Sequence, residues 1–352
     1  MDCVLGLSGG VDSAVAAHLL KEKGHRVTGV YLDGGLGEAS DAQKAADRLG
    51  IDFVRVDIRQ ALDALVIAPF VREYLSARTP NPCVLCNPAV KFAALARAAD
   101  EIGAPKIATG HYARVQTDRD TGETLLYASP AKNDQSYMLY RLPQPILSRC
   151  VFPLGAFSGK EEVRALAAAL SLPSAAKPDS MEICFIPSGD YAAFIEARAG
   201  DCPPPGDFVT PEGRVLGRHG GIHRYTVGQR RGLGISSDGR LFVSAIDPSA
   251  NRVILSRQDP YRREITLSQV MYTRARDGSA PFDAAIKIRH SRTFWRGTVT
   301  PLPGGRAAVR FDPPARAPSP GQSAVFYDGN RVVGGGLIDD FAAPPAVGAS
   351  DE

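Results

Sequence analysis

The chain has 352 residues, of which 44% are hydrophobic and 22% charged, with a formal net charge of +3; it is a globular composition, long enough for two or three cores, and its charge is too small to identify a nucleic-acid partner by itself. No run of about 18 apolar residues exists, which excludes a transmembrane helix. The first strand begins within a few residues of Met1, leaving no room for a signal peptide, and six cysteines are too few for a disulfide framework, so a reduced, cytoplasmic setting is expected.

The apolar run Cys3-Val4-Leu5-Gly6-Leu7 breaks into Ser8-Gly9-Gly10-Val11-Asp12-Ser13 and then a helical stripe through Val15, Ala16, Leu19 and Leu20. Strand, glycine loop and helix in that order aim backbone N–H groups and a helix N-terminus at an anion. The glycines let a phosphate come close, Ser8 and Ser13 add hydroxyl donors, and Asp12 is a candidate Mg²⁺ ligand beside the phosphates. The G-K-[ST] ending of a Walker A loop is absent. Alternating strands and helices follow: strands at 27–32, 53–56 and 106–109, helices at 39–49, 61–76 and 88–102. They predict a parallel, doubly wound sheet whose ligands bind beyond the carboxyl ends of the strands.

Asn81-Pro82-Cys83-Val84-Leu85-Cys86-Asn87-Pro88 is the second informative stretch. Asn87 as N-cap and Pro88 as first helical residue would set Cys86 just ahead of a helix N-terminus, which lowers a thiol pKa. Half of a zinc site, or an inert pair, are the other readings of this C-x-x-C. Cys184 lies in Asp179-Ser180-Met181-Glu182-Ile183-Cys184-Phe185-Ile186, and by itself reads as a buried apolar cysteine. Beyond the hairpin pattern at 112–127 and a capping box at Ser158-Gly159-Lys160-Glu161, long helical patterns end near Cys202 and short β-type runs take over. The expected domains are 1–199 (α/β), 200–259 (small, β-rich), 260–341 (β-barrel) and a tail at 342–352.

S-G-G-V-D-S is similar to the loop of the PP-loop ATP pyrophosphatases, which cleave ATP between the α- and β-phosphates. Together with N-P-C-V-L-C-N, A-T-G-H-Y-A-R, N-D-Q-S-Y and D-S-M-E-I-C-F-I, then H-R-Y-T-V-G-Q-R-R-G-L-G, K-I-R-H, P-G-Q and A-V-F-Y-D-G, it resembles the tRNA-uridine 2-sulfurtransferase (tRNA 2-thiouridylase) family to about Ile338. The resemblance implies a PP-loop α/β domain, a central β-rich domain and a C-terminal β-barrel, and an enzyme that replaces the C2 oxygen of a tRNA wobble uridine by sulfur at the expense of ATP. It implies ATP contacts at Gly6, Leu7, Ser8, Gly9, Gly10, Val11, Asp12, Ser13, Leu32 and Gly110. Cys86 matches the nucleophile and Cys184 the persulfide carrier. Contacts to tRNA fall on Asn81, Pro82, His111, Asn133, Asp134, Gln135, Arg289, His290 and Gln322.

Cys83 stands where some relatives carry Asp. It leaves two sulfur routes open: a persulfide on Cys184, or a 4Fe–4S cluster held by Cys83, Cys86 and Cys184 with one iron free. The implied partners are the tRNA anticodon stem-loop and a sulfur donor such as a cysteine desulfurase or relay protein. Between Asp283 and Asp312 there is no acidic residue, while Lys287, Arg289, Arg292, Arg296, Arg306 and Arg310 surround Phe294 and Trp295. Alternation predicts Lys287 and Arg289 on the solvent face, a patch suited to an unpaired RNA loop. The competing readings are another AMP-forming PP-loop ligase, which needs no paired thiols, and a non-catalytic RNA-binding metal or cluster protein, which leaves residues 8–13 unexplained.

Overall fold

The computed structural model describes residues 1–175 and 183–341. Residues 179–182 of the second cysteine motif and the tail expected at 342–352 lie outside the described residues. The first sheet begins with β1 (Asp2–Gly6), then α1 (Val11–Glu22), β2 (Arg26–Asp33), α2 (Ser40–Leu49) and β3 (Asp52–Asp57). Val4 packs with Val30, Leu95 and Ile107 on one face, Cys3 and Leu5 with Val15, Leu20 and Val27 on the other. Burial on both faces is why β1 reads as a continuous apolar run.

The two long helices are interrupted differently from their expected form. The segment expected at 61–76 is α3 (Arg59–Leu62), a π turn (Asp63–Ile67) and α4 (Ala68–Leu75) in succession. The one expected at 88–102 begins earlier, as α5 (Pro82–Cys86), a π turn (Asn87–Lys91) and α6 (Phe92–Ile102). Asn-Pro occurs twice, and the helix starts at the first copy: the Asn81 side chain accepts from Cys83 N–H at 3.1 Å and Pro82 is the first helical residue. Pro88 is then inside the helix, where its ring lacks an N–H and crowds the preceding turn; the wider π turn accommodates it.

β4 (Lys106–Ala108) follows, then a hairpin of β5 (Ala113–Thr117) and β6 (Thr124–Ala128), α7 (Gln144–Leu147) and β7 (Cys150–Val151). The first sheet has the order β3-β2-β1-β4-β7, all parallel, and changes direction at β1. Sheets of this kind bind ligands beyond the carboxyl ends of the strands at such a switch point, and the residue 8–13 loop follows the carboxyl end of β1. α8 (Lys160–Ala169) sets Val163 and Ala167 into the core that α1 shares, and α9 (Tyr191–Ala199) packs Ile195 with Phe70 and Phe185. Ser158 Oγ meets Glu162 instead of Glu161, with Gly159 at the N-cap, so the capping box expected there is not formed.

The middle domain is a four-stranded sheet of β8 (Gly206–Val209), β9 (Val215–His219), β10 (Phe242–Asp247) and β11 (Arg252–Ser256), ordered β10-β11-β8-β9. The last six strands, β12 (Tyr261–Tyr272), β13 (Phe282–Lys287), β14 (Trp295–Leu302), β15 (Arg306–Arg316), β16 (Ser323–Asp328) and β17 (Arg331–Ile338), close into a barrel through β12–β17 pairing. The β5–β6 hairpin extends the barrel sheet, Arg331 pairing with Tyr127.

Candidate active site

The loop of residues 8–13 is built by its own hydroxyls. Ser13 Oγ donates to Gly10 O at 3.0 Å and accepts from Ser8 N–H at 3.2 Å, closing the turn before α1. No side chain caps α1 at Gly10, so its first amides face the loop, the arrangement that binds anions. Gly9 has φ +79°, and a Cβ there would stand 2.8 Å from Ala42 N. Asp12 accepts from the Tyr112 hydroxyl at 2.8 Å and lies 3.4 Å from Lys160 Nζ. Leu32 is half-buried at the carboxyl end of β2, one residue before Asp33, which accepts from Gly35 N–H and pairs with Arg55 at 2.6 Å.

Gly110 and His111 run from this loop to Phe92 of α6. A Cβ at Gly110 would meet Asp12 C at 2.9 Å and Ser13 N at 3.0 Å, so only glycine lets the chain after β4 lie against α1. His111 shares a 2.7 Å hydrogen bond between Nδ1 and Thr109 Oγ1, stacks on Phe92 at 5.9 Å and meets Phe152 edge-on at 6.2 Å. Burial, with the Lys91 charge second, holds its pKa well below the ordinary histidine range, so the ring is neutral. Phe92 directly follows the π turn that starts after Cys86.

The cysteines do not stand as expected. Cys86 is the last residue of α5, inside the helix, and burial pushes its thiol up to about 11 instead of a helix N-terminus pulling it down. The Lys91 ammonium and a hydrogen bond from the Lys91 backbone N–H oppose that rise, while Cys184 and Cys83 add to it. Cys83 is raised for the same first reason, with Lys91 again opposing and Cys184 adding. Each thiol feels the charge of Cys184, so the three sulfurs share one neighbourhood. Cys184 is exposed, not buried, because Phe185 and Ile186 take the core positions beside it. Cys86 and Ile183 pack on that same cluster. Cys3 and Cys150 are buried in the first domain, and burial raises both thiols.

Several residues expected to meet tRNA carry structural bonds. Lys287 is 4% exposed, not on the solvent face: its Nζ lies 2.9 Å from Asp134 Oδ2 and over the Phe294 ring at 4.7 Å. The 129–136 segment covers that side of β13, which the alternation of charges could not reveal. Asp134 also accepts from Ser129 and Ser136 N–H. Gln135 accepts from Tyr112 N–H at 3.0 Å, His290 Nε2 lies 3.1 Å from Asp134 O, and Arg289 donates to Ala317 O. Gln322 donates to Thr79 O at 2.8 Å. Pro82 is buried, whereas Asn133 Nδ2 is a buried donor with no partner. Phe294 is exposed; Trp295 packs on the barrel core. Arg306 and Arg310 pair with Asp339 and Glu264.

Sequence reasoning missed Lys91, Tyr112 and Lys160. Tyr112 sits within A-T-G-H-Y and Lys160 within S-G-K-E, so each was one residue from a quoted signal; Lys91 is found only by counting five residues on from Cys86 across a π turn.

Among the described residues, no group of three or more His, Cys, Asp or Glu side chains is placed to hold a metal ion. Asp12 offers one carboxylate, which suits Mg²⁺ only where phosphates complete the shell.

Three family models match in succession: a tRNA methyl transferase HUP domain over residues 1–188, a tRNA methyl transferase PRC-barrel domain over 192–257, and an aminomethyltransferase beta-barrel domain over 262–338. The chain is 44% identical to tRNA-specific 2-thiouridylase MnmA 1 of Caldanaerobacter subterraneus subsp. tengcongensis, the match covering 96% of this chain and 97% of that protein. It is 43% identical to tRNA-specific 2-thiouridylase MnmA of Pelobacter propionicus, covering 96% and 97%. Among solved structures, a 4-thiouridine synthetase–RNA complex with bound ATP matches at a TM-score of 0.35 and 17% identity, covering 57% of this chain and 50% of that one, a likeness too slight to build on. With a parallel-sheet HUP domain, a middle domain and a closed barrel matched in order, and relatives aligned end to end, the chain belongs to the tRNA-specific 2-thiouridylase family.

Proposed function

We propose that this chain 2-thiolates the wobble uridine of tRNA, using ATP to activate the base and Cys184 and Cys86 to deliver sulfur. The observation that carries the reading is the Gly110-His111 bridge, which lies against Asp12 and Ser13 on one side and stacks on Phe92, six residues beyond Cys86, on the other. A phosphate site and a thiol pair joined by two residues suit a reaction in which one base is first adenylated and then attacked by sulfur.

The uracil O2 attacks the α-phosphorus of ATP; the α–β phosphoanhydride bond breaks and pyrophosphate leaves into the loop of residues 8–13, against the α1 amides. Mg²⁺ held between Asp12 and the phosphates would neutralise the leaving group. Lys160 and Tyr112 fix the Asp12 carboxylate from the other side. A sulfur donor protein loads Cys184 as a persulfide. Its terminal sulfur attacks C2, AMP leaves with the former O2, and the uridine is joined to Cys184 through a disulfide. The Cys86 thiolate then attacks Cys184 Sγ; that S–S bond breaks, its electron pair leaves on the uridine sulfur as 2-thiouridine, and a Cys86–Cys184 disulfide remains for reduction by thiols. Exposed Cys184 suits loading from outside, and half-buried Cys86 suits protection until that last step.

Unmodified tRNA, ATP, Mg²⁺ and a persulfide donor, incubated with iron-depleted protein and digested for mass spectrometry, should yield 2-thiouridine with one AMP per event. Absence of 2-thiouridine with every sulfur source tried would overturn the reading.

A further inference from the structure

The middle domain carries an arginine basin for which the reaction above has no use. Its loop, residues 228–241, is held firmly. Leu233 is buried with Phe208, Val243 and Leu255. Gln229 accepts from Thr226 N–H and donates to Arg231 O, each at 3.0 Å, and Val243 N–H donates to Gln229 O at 2.9 Å. On this frame sits a shallow basin of about 490 Å³ lined by Arg230, Arg231, Arg240, Ser237 and the glycines at 232, 234 and 239. No carboxylate lines it, since Asp238, the nearest acid in the chain, pairs with Arg257.

Many arginines elsewhere are matched to a carboxylate, as in Arg55–Asp33, Arg78–Glu73, Arg149–Asp100 and Arg331–Asp277. Arg230, Arg231 and Arg240 are exposed and enter no ion pair among the described residues. Three like charges around one basin repel one another in the free chain, and that repulsion becomes attraction when a polyanion enters. The guanidinium fork matches a phosphate in two hydrogen bonds. Gly232 and Gly234, at φ +71° and +66°, leave open space over the backbone, so a phosphate meets no Cβ there.

The basin is also tethered to the chain that carries the cysteines. Thr226 Oγ1 lies 3.0 Å from Thr79 Oγ1. Arg230 is four residues beyond Thr226 and Cys83 four beyond Thr79, each at most about 14 Å of chain, which keeps Arg230 within about 30 Å of Cys83. We propose that Arg230, Arg231 and Arg240 grip the sugar–phosphate backbone of the tRNA stem, apart from the residues that meet the target base. This rests on the thiolation reading. An acidic protein is the competing occupant, but no aromatic side chain lines the basin and the exposed large apolar residues lie outside it, so it lacks the anchors of a protein hot spot.

The test compares the parent chain with a variant carrying Arg230→Ala, Arg231→Ala and Arg240→Ala. Binding of full-length unmodified tRNA is measured by fluorescence anisotropy across a salt series, with thermal midpoint and ATP binding as checks of folding. Three lost phosphate contacts should weaken binding at least tenfold and reduce the slope of log K against log salt by about 2 to 3. Parental affinity and slope in the folded variant would overturn the proposal. So would unchanged tRNA binding with thiolation impaired only when a protein supplies the sulfur, which assigns the basin to that protein. If the parent chain itself binds no tRNA, the functional reading fails instead, and the two failures are distinct.

Discussion

Lys287 of the barrel and Asp134 of the first domain form a buried ion pair, Nζ to Oδ2 at 2.9 Å, with side chains 5% and 10% exposed. The carboxylate also binds the Ser129 and Ser136 amides and the Ser136 hydroxyl, and the ammonium lies over Phe294 and Tyr327. The pair therefore fixes the barrel against the 129–136 segment, in the part of the chain where tRNA contacts are expected.

Removing one partner leaves a buried charge unmatched. Lys287→Met should lower unfolding free energy by about 3 to 5 kcal/mol, the cost typical of breaking a buried pair. Lys287→Met with Asp134→Asn should recover a good part of it, because no charge then stays uncompensated. Urea titrations of the parent and the two variants check this; a loss below about 1 kcal/mol in Lys287→Met would mean the pair is open to water.

The buried Cys86 thiol should be unreactive near neutrality in the free protein. Its folded pKa is about 11 against an ordinary 9.0, so the folded chain keeps that proton to higher pH than the unfolded one. The associated stability is complete below about pH 9 and is lost as pH rises toward 11. Alkylation of the Cys86 peptide, followed by mass spectrometry against pH, should inflect near 11, and Lys91→Met should move the inflection upward. An inflection at 8 or below would contradict the burial on which the thiol's protection rests.

The parallel sheet, the strand–loop–helix turn at residues 8–13 and the alternation of elements were legible because β1 is apolar on both faces and residues 8–13 break it with two glycines. The helix around Cys86 was misread because Asn-Pro occurs twice and local capping rules do not choose between copies. The choice falls to tertiary packing, with Pro82 and Val84 buried and Asn87 bonded to Met138 O. Lys287 was misread because strand alternation separates two faces but does not say that a second domain covers one of them. Thr79 likewise shows nothing local, yet the barrel and the middle domain meet there, through Gln322 and Thr226.

Gly110→Ala tests the contact between the two halves of the site. A methyl at 2.9 Å from Asp12 C must push α1 away from β4 or displace the 110–111 turn. ATP binding should weaken at least tenfold by calorimetry, while the thermal midpoint falls by only a few degrees, because the contact is at the surface of the crevice and not in the core. Parental ATP affinity would show that the loop tolerates the shift and that Gly110 serves packing alone.

The cysteine roles separate by where the reaction stops. With Cys184→Ser no persulfide can be carried, so 2-thiouridine should fall below detection while ATP is still cleaved against tRNA and an adenylated RNA accumulates. Cys86→Ser should also abolish 2-thiouridine release, but after sulfur has joined C2, leaving tRNA covalently attached to Cys184 and visible as a slow band on a non-reducing gel that thiols dissolve. Cys83→Ser should retain a third or more of the activity in iron-depleted protein, because the persulfide sequence uses two thiols, Cys184 and Cys86. Loss of all activity in Cys83→Ser, restored by neither persulfide nor sulfide, would assign the third thiol a place in the chemistry and exclude the two-cysteine sequence.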